Sequence, residues 1–125
     1  MRLTRRDFGG AHRYGRRFEA GEHSALVLKA HEATSDAGNA MLVLVLGFPG
    51  PEGGVKVDHY VVTHFDHLVE NLLACLAPEH LHSWRTTGAC DLEPAALLGR
   101  ECQILIEAEE WRGQLRPRVR RLLPF

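Results

Sequence analysis

The most constraining feature of this chain is its hydrophobic period, which switches from two to about 3.6 and back again. Up to Val62 the apolar residues come at every second position or in short unbroken runs. From Phe65 to Leu76 they recur every three or four residues, and from Glu101 the period of two returns. A period of two marks a strand half-buried on a pleated sheet, and a period of 3.6 marks an amphipathic helix. The chain therefore has to bury a predominantly β core against one well-defined helix.

Each segment can be placed from its punctuation. Leu26, Leu28 and Ala30 alternate with Val27, Lys29 and His31 across His23–Ala33, which predicts the first strand. Thr34 to Asn39 is rich in turn formers and leads into the apolar run Met41–Leu46, a second strand buried on both sides. Pro49-Gly50-Pro51-Glu52-Gly53-Gly54 reads as a loop, because proline lacks a ladder donor and glycine has no side chain to pack; a third strand follows over Val55–Val62. Phe65, Leu68, Val69, Leu72, Leu73 and Leu76 share a helical face, with Thr63 or Asp66 near its start and Pro78 beyond its end. Glu79–Asp91 reads as irregular, and Leu92–Leu98 as a short helical turn before Gly99. The fourth strand spans Glu101–Trp111, with Cys102, Ile104, Ile106 and Ala108 on one face. After Gly113 the fifth, Leu115–Leu123, puts Arg116, Arg118 and Arg120 on one face and Val119 and Leu123 on the other. The order β-β-β-α-β-β, with the helix between strands three and four, is that of the OB-type five-stranded β-barrel.

A chain of 125 residues, 45% of them apolar, suits one domain with its own core. The first seventeen residues have no period and contain Gly9, Gly10 and Gly15, so 1–17 reads as a flexible basic arm and 18–125 as the folded domain. No apolar run approaches the roughly 20 residues that span a bilayer, and the start lacks the apolar stretch of a signal peptide. The expected location is the cytoplasm. Cys75, Cys90 and Cys102 are odd in number and widely spaced, so they read as reduced thiols, with Cys75 and Cys102 in the core. The net charge of −1 hides a segregation. Met1–Arg17 holds six Arg and one Asp, Arg112–Phe125 holds five Arg and no acid, and the stretch between them has a net charge of −11. Basic ends can hold a polyanion, or they can pair with the acidic body.

Three blocks carry a family resemblance: Ala20-Gly21-Glu22; Ser35-Asp36-Ala37-Gly38-Asn39-Ala40-Met41-Leu42; and Leu98-Gly99-Arg100 through Trp111-Arg112-Gly113 to Leu122-Leu123-Pro124. In these the chain resembles a family of small phage and prophage proteins, a domain-of-unknown-function class regarded as single-stranded-DNA-binding proteins of replication and recombination. The resemblance extends over most of the chain from Phe18 and implies an OB-type fold, single-stranded DNA as the partner, self-association into a homo-oligomer, and contact with a replication or recombination protein. Two positions depart from the pattern. His23 stands where the family usually carries Tyr, and Asp36 where Lys is frequent, which removes one stacking ring and one phosphate contact.

Single-strand binders combine a cationic track with aromatic platforms on which bases stack. On an OB-type barrel the usual surface is the face of strands two and three, flanked by the loops that join strands one to two and four to five. Here that surface offers Lys56 and Tyr60, then Trp111 and Arg112 at the last loop, then Arg116, Arg118 and Arg120. Alternate arginines on one strand lie about 6.5–7 Å apart, near the phosphate spacing of an extended strand. The competing reading of the same arginines is a charge-guarded edge strand, or pairing with Glu107 and Glu109 across the hairpin. In the arm, Arg13, Tyr14, Arg16, Arg17 and Phe18 interleave charge with rings and are further DNA-binding candidates.

Catalytic patterns are missing: there is no Gly-x-Ser-x-Gly elbow, Walker loop or HExxH helix, so no enzyme and no cofactor are expected. His64 and His67 flank Asp66, with His80 and His82 downstream, but no carboxylate or Cys completes a ligand spacing, and these histidines read as solvated or helix-capping. The terminal Leu-Pro-Phe resembles the partner-recruiting tip of bacterial single-strand-binding proteins, with Arg120 and Arg121 where that tip has acids. The expectation is a non-catalytic single-strand DNA-binding protein of low sequence preference. The first alternative is a protein-binding OB module, such as a phage inhibitor of a host factor, which would account for the acidic body; the second is a metal-dependent enzyme using the histidines.

Overall fold

A computed structural model of the protein describes residues 17–124. Five strands, β1 (Gly21–Thr34), β2 (Ala40–Gly50), β3 (Gly53–Val62), β4 (Glu101–Trp111) and β5 (Gln114–Leu123), form one antiparallel sheet in the order β3-β2-β1-β4-β5. Between β3 and β4 run helix α1 (Asp66–Leu76), a 3₁₀ turn at Pro78–His80, a short helix α2 (Leu81–Thr87) and a second 3₁₀ turn at Pro94–Leu97. Helix α2, which ends on Gly88 in the left-handed region, occupies part of the segment read as irregular from sequence. At seven residues it is too short to be stable without the tertiary contacts that Leu81 and Trp84 make with the core. Residues 1–16, and with them most of the expected arm, lie outside the described residues, as does Phe125. Phe18 packs against the core.

β1 joins two halves of the sheet. Its first half, Gly21–Leu26, pairs with β4, and its second, Leu26–Thr34, pairs with β2. The handover occurs at a β-bulge on Leu28, where the register to β2 slips between Val27 and Lys29. Ala25 and Val27 face the core before the bulge and Ala30 after it, so the simple alternation read from sequence holds only piecewise. A second bulge alters β5. Leu105 pairs with Arg121 and Ile106 with Val119, which leaves Arg120 as the extra residue. As a result Leu122, not Leu123, is buried, and Arg121 takes the ladder position expected for Arg120.

The core sits between the inward face of the sheet and α1. Leu44, Leu46, Phe48, Ile104 and Leu73 are fully sealed, each worth about 1.5–3 kcal/mol of transfer free energy. Val69, Leu72, Leu73 and Leu76 form the buried helix face. Phe65, expected on that face, is the N-cap residue and stays 47% exposed. Neither Thr63 nor Asp66 caps the helix; the Thr63 hydroxyl donates to the Ala40 carbonyl instead. Asn71 fastens α1 to β5 with two bonds: its Nδ2 donates to Leu122 O at 2.9 Å, and Leu122 N–H donates to its Oδ1 at 3.0 Å. Arg100 donates to the Leu76 carbonyl at the helix end and pairs with Glu79.

The segment from Pro49 to Gly54 corrects the expected loop. Pro49 and Gly50 continue β2, pairing with Gly54 and Gly53, and only Pro51 and Glu52 turn. β1 pairs with β2 no further than Gly47, so this stretch is locally a two-stranded ribbon with an open side, where a missing N–H costs nothing. Gly50 is required by crowding, since a Cβ there would lie 2.8 Å from the Arg17 carbonyl oxygen and 2.7 Å from a Val55 methyl. Cys102 is buried, whereas Cys75 and Cys90 are half-buried; none of the three is disulfide-bonded, and burial pushes the Cys102 thiol up to about 12.

Candidate nucleic-acid interface

The outward face of β1–β3 is built in cross-strand rows. Tyr60 lies beside Val43 and, one strand further, His31; Asp58 lies beside Val45 and Lys29; Lys56 lies beside Gly47 and Leu26. Tyr60 is 51% exposed and its hydroxyl donates to Asp58 Oδ2 at 3.3 Å. Lys56 is half-buried on the same face, four positions away, or about 13 Å along the strand. The residues of β2 in these rows are apolar or glycine, and Val43 and Gly47 among them are buried.

At the other side of the sheet the β4–β5 hairpin turns through Arg112 and Gly113, both at positive φ (51° and 77°), between the paired residues Trp111 and Gln114. Two central residues at positive φ make the turn that best matches strand twist, and a non-glycine there stores some strain. The geometry aims Arg112 back over Trp111, with its guanidinium carbon 4.4 Å from the ring centroid. Arg116 approaches the same ring at 4.9 Å. Trp111 thus stands exposed at the hairpin tip with two cations beside it.

The arginines of β5 are not a bare track. Arg116 Nε donates to Glu109 Oε2 at 2.9 Å, and Arg118 lies 3.8 Å from Glu107 and 3.9 Å from Glu109. The cross-strand pairing considered at the outset therefore operates for both. Exposed ion pairs of this kind contribute only about 0–1 kcal/mol, so a phosphate can displace the Arg118 contacts at small cost. Arg120, lifted by the bulge, is exposed and makes no ion pair with any described residue. Arg17 pairs with Glu52 at the far end of the β2–β3 ribbon, 3.7 Å apart. Arg13, Tyr14 and Arg16 fall outside the described residues.

No ladder joins β3 to β5, but the two strands approach each other and flank a cleft of about 410 Å³. Tyr60, Arg116, Arg118 and Arg120 meet around it, with Leu68 of α1. The cleft also contains His59, a residue that sequence reasoning did not single out. Its signal lay in the inward row of β3, Val55-Val57-His59-Val61, where one polar residue interrupts an otherwise apolar series. A larger cavity of about 580 Å³ lies against Met41, Val69, Leu72, Trp84 and Leu92; no cation lines it. Among the described residues no group of three His, Cys, Asp or Glu is placed to hold a metal ion, and no helix is long and apolar enough to cross a membrane. No protein-family model matches this chain, and no curated protein does either.

Proposed function

We propose that the protein is a non-catalytic single-stranded-DNA-binding protein, of the kind used in phage replication and recombination, built on an OB-type barrel. The barrel reading is supported by β1, which bends at its bulge to serve both halves of the sheet, and by the approach of β3 to β5, which would complete the ring. The observation that carries the functional reading is Trp111, a half-exposed ring at a hairpin tip with Arg112 and Arg116 beside it. A base can stack on such a ring while the guanidiniums reach its flanking phosphates, and neither contact depends on base identity. Tyr60, exposed on β3 beside Val43 of β2, supplies a second platform, and Lys56 a further cation. The test is fluorescence anisotropy with labelled single strands and duplexes of one length at low salt. Single strands are expected to bind at least tenfold more tightly than duplex.

A protein-binding module is the second reading, favoured by one observation: Glu107 and Glu109 already neutralise Arg116 and Arg118. It predicts no binding to either nucleic acid even at low salt.

A further inference from the structure

His59 is the one buried polar or charged residue among those described, at 8% exposure. It makes no side-chain hydrogen bond, ion pair or ring contact with any described residue, yet no buried side-chain nitrogen is both sealed and unpartnered. Its ring nitrogens are therefore not fully sealed, and the residue lines the cleft between β3 and β5. His59 is the one polar residue in the inward row of β3, Val55-Val57-His59-Val61. Across the cleft stands Arg120, exposed and outside any ion pair with a described residue, and Tyr60 and Leu68 supply ring and apolar walls. The volume, about 410 Å³, lies in the range of small-molecule sites.

We propose that this cleft is a nucleotide subsite: one base of the bound strand leaves the stack and enters between β3 and β5, its polar edge hydrogen-bonded by His59 and its phosphate held by Arg120. The inference rests on the single-strand reading and deepens it by adding one position at which the base itself is read. A neutral imidazole offers one donor and one acceptor, which suits a base edge and is wasted on a bare sugar-phosphate chain. Extruding a base from a single strand costs little, because no pairing partner is lost.

The experiment compares a short oligo-thymidine strand with an abasic deoxyribose-phosphate strand of equal length, for wild type, His59→Phe and Arg120→Ala. His59→Phe, which keeps a ring of similar size, is expected to lose about five- to tenfold in affinity for oligo-thymidine and nothing for the abasic strand. Arg120→Ala should weaken both. Thermal melting establishes that each variant is folded, and in unmutated protein the His59 ring nitrogen resonances should shift with oligo-thymidine but not with the abasic strand. If wild type binds oligo-thymidine tightly while His59→Phe matches it and the ring resonances stay still, the subsite is overturned and the single-strand reading stands. If wild type binds neither strand, both fall together.

Discussion

His59 should make the stability of this protein depend on pH between about 6.5 and 4. Desolvation by burial lowers its pKa from 6.5 to about 4, so the folded ring refuses a proton that the unfolded ring accepts. The sign follows from that difference. Above pH 6.5 the ring is neutral in both states and no stability is lost. Between 6.5 and 4 the unfolded chain binds more protons, so stability falls as the pH falls, and below about 4 the loss is complete. At about 1.4 kcal/mol per pH unit of displacement, the loss reaches about 2 kcal/mol at pH 5 and about 3 kcal/mol at pH 4. Asp58 and Glu109 line the same cleft and Arg116, Arg118 and Arg120 surround it, so the quantity to read is the difference between wild type and His59→Phe, in which their contributions largely cancel. Urea unfolding at pH 7, 6 and 5 for the two proteins gives that difference directly. Wild type should lose about 2 kcal/mol more than the variant between pH 7 and 5. Parallel curves would refute the claim that this ring is held neutral by burial.

Other perturbations separate the binding surface from the scaffold. Trp111→Ala should leave the melting temperature nearly unchanged and weaken single-strand binding by about 1–3 kcal/mol, the worth of one stacked base; unchanged affinity would remove the hairpin tip from the interface. Asn71→Ala deletes both bonds to Leu122 and leaves a partly buried backbone pair unsatisfied, so chemical denaturation should show a loss of roughly 2–3 kcal/mol with DNA binding intact in the folded fraction. Replacing Arg116, Arg118 and Arg120 together by Ala should weaken binding and flatten its salt dependence without unfolding the sheet, and equal affinity would move the phosphate track elsewhere.

The five strands and α1 were legible because each follows from a local period that no neighbour can change. The bulges at Leu28 and Arg120 were not, since a bulge is a property of the pairing between strands. Each one shifts the inward set by a residue, which is why Leu122 rather than Leu123 reached the core. Pro49 misled for a related reason: proline ends a ladder only where a partner needs its N–H, and β1 has already turned away there. Helix α2 has too few residues to announce itself and depends on the packing of Trp84. The residues of the candidate interface were Trp111 and the alternating arginines in the sequence too, and Glu107 and Glu109 were already visible as competing partners. That Arg112 and Arg116 approach one ring depends on the positive φ of Arg112, which sequence does not display. His59 was visible as a break in the β3 row, but its meaning required knowing that β3 and β5 face each other across a cleft.

The central claim, that this five-stranded sheet holds single-stranded DNA through phosphate contacts and stacked bases, is tested most directly by the salt dependence of its affinity. With three to five phosphates engaged by Lys56, Arg112, Arg118, Arg120 and their neighbours, the logarithm of the binding constant should fall with the logarithm of salt concentration with a slope of roughly −2 to −3.5, while a residual affinity from stacking on Trp111 and Tyr60 persists at high salt. A slope near zero, or no measurable binding at the lowest salt, would contradict the account.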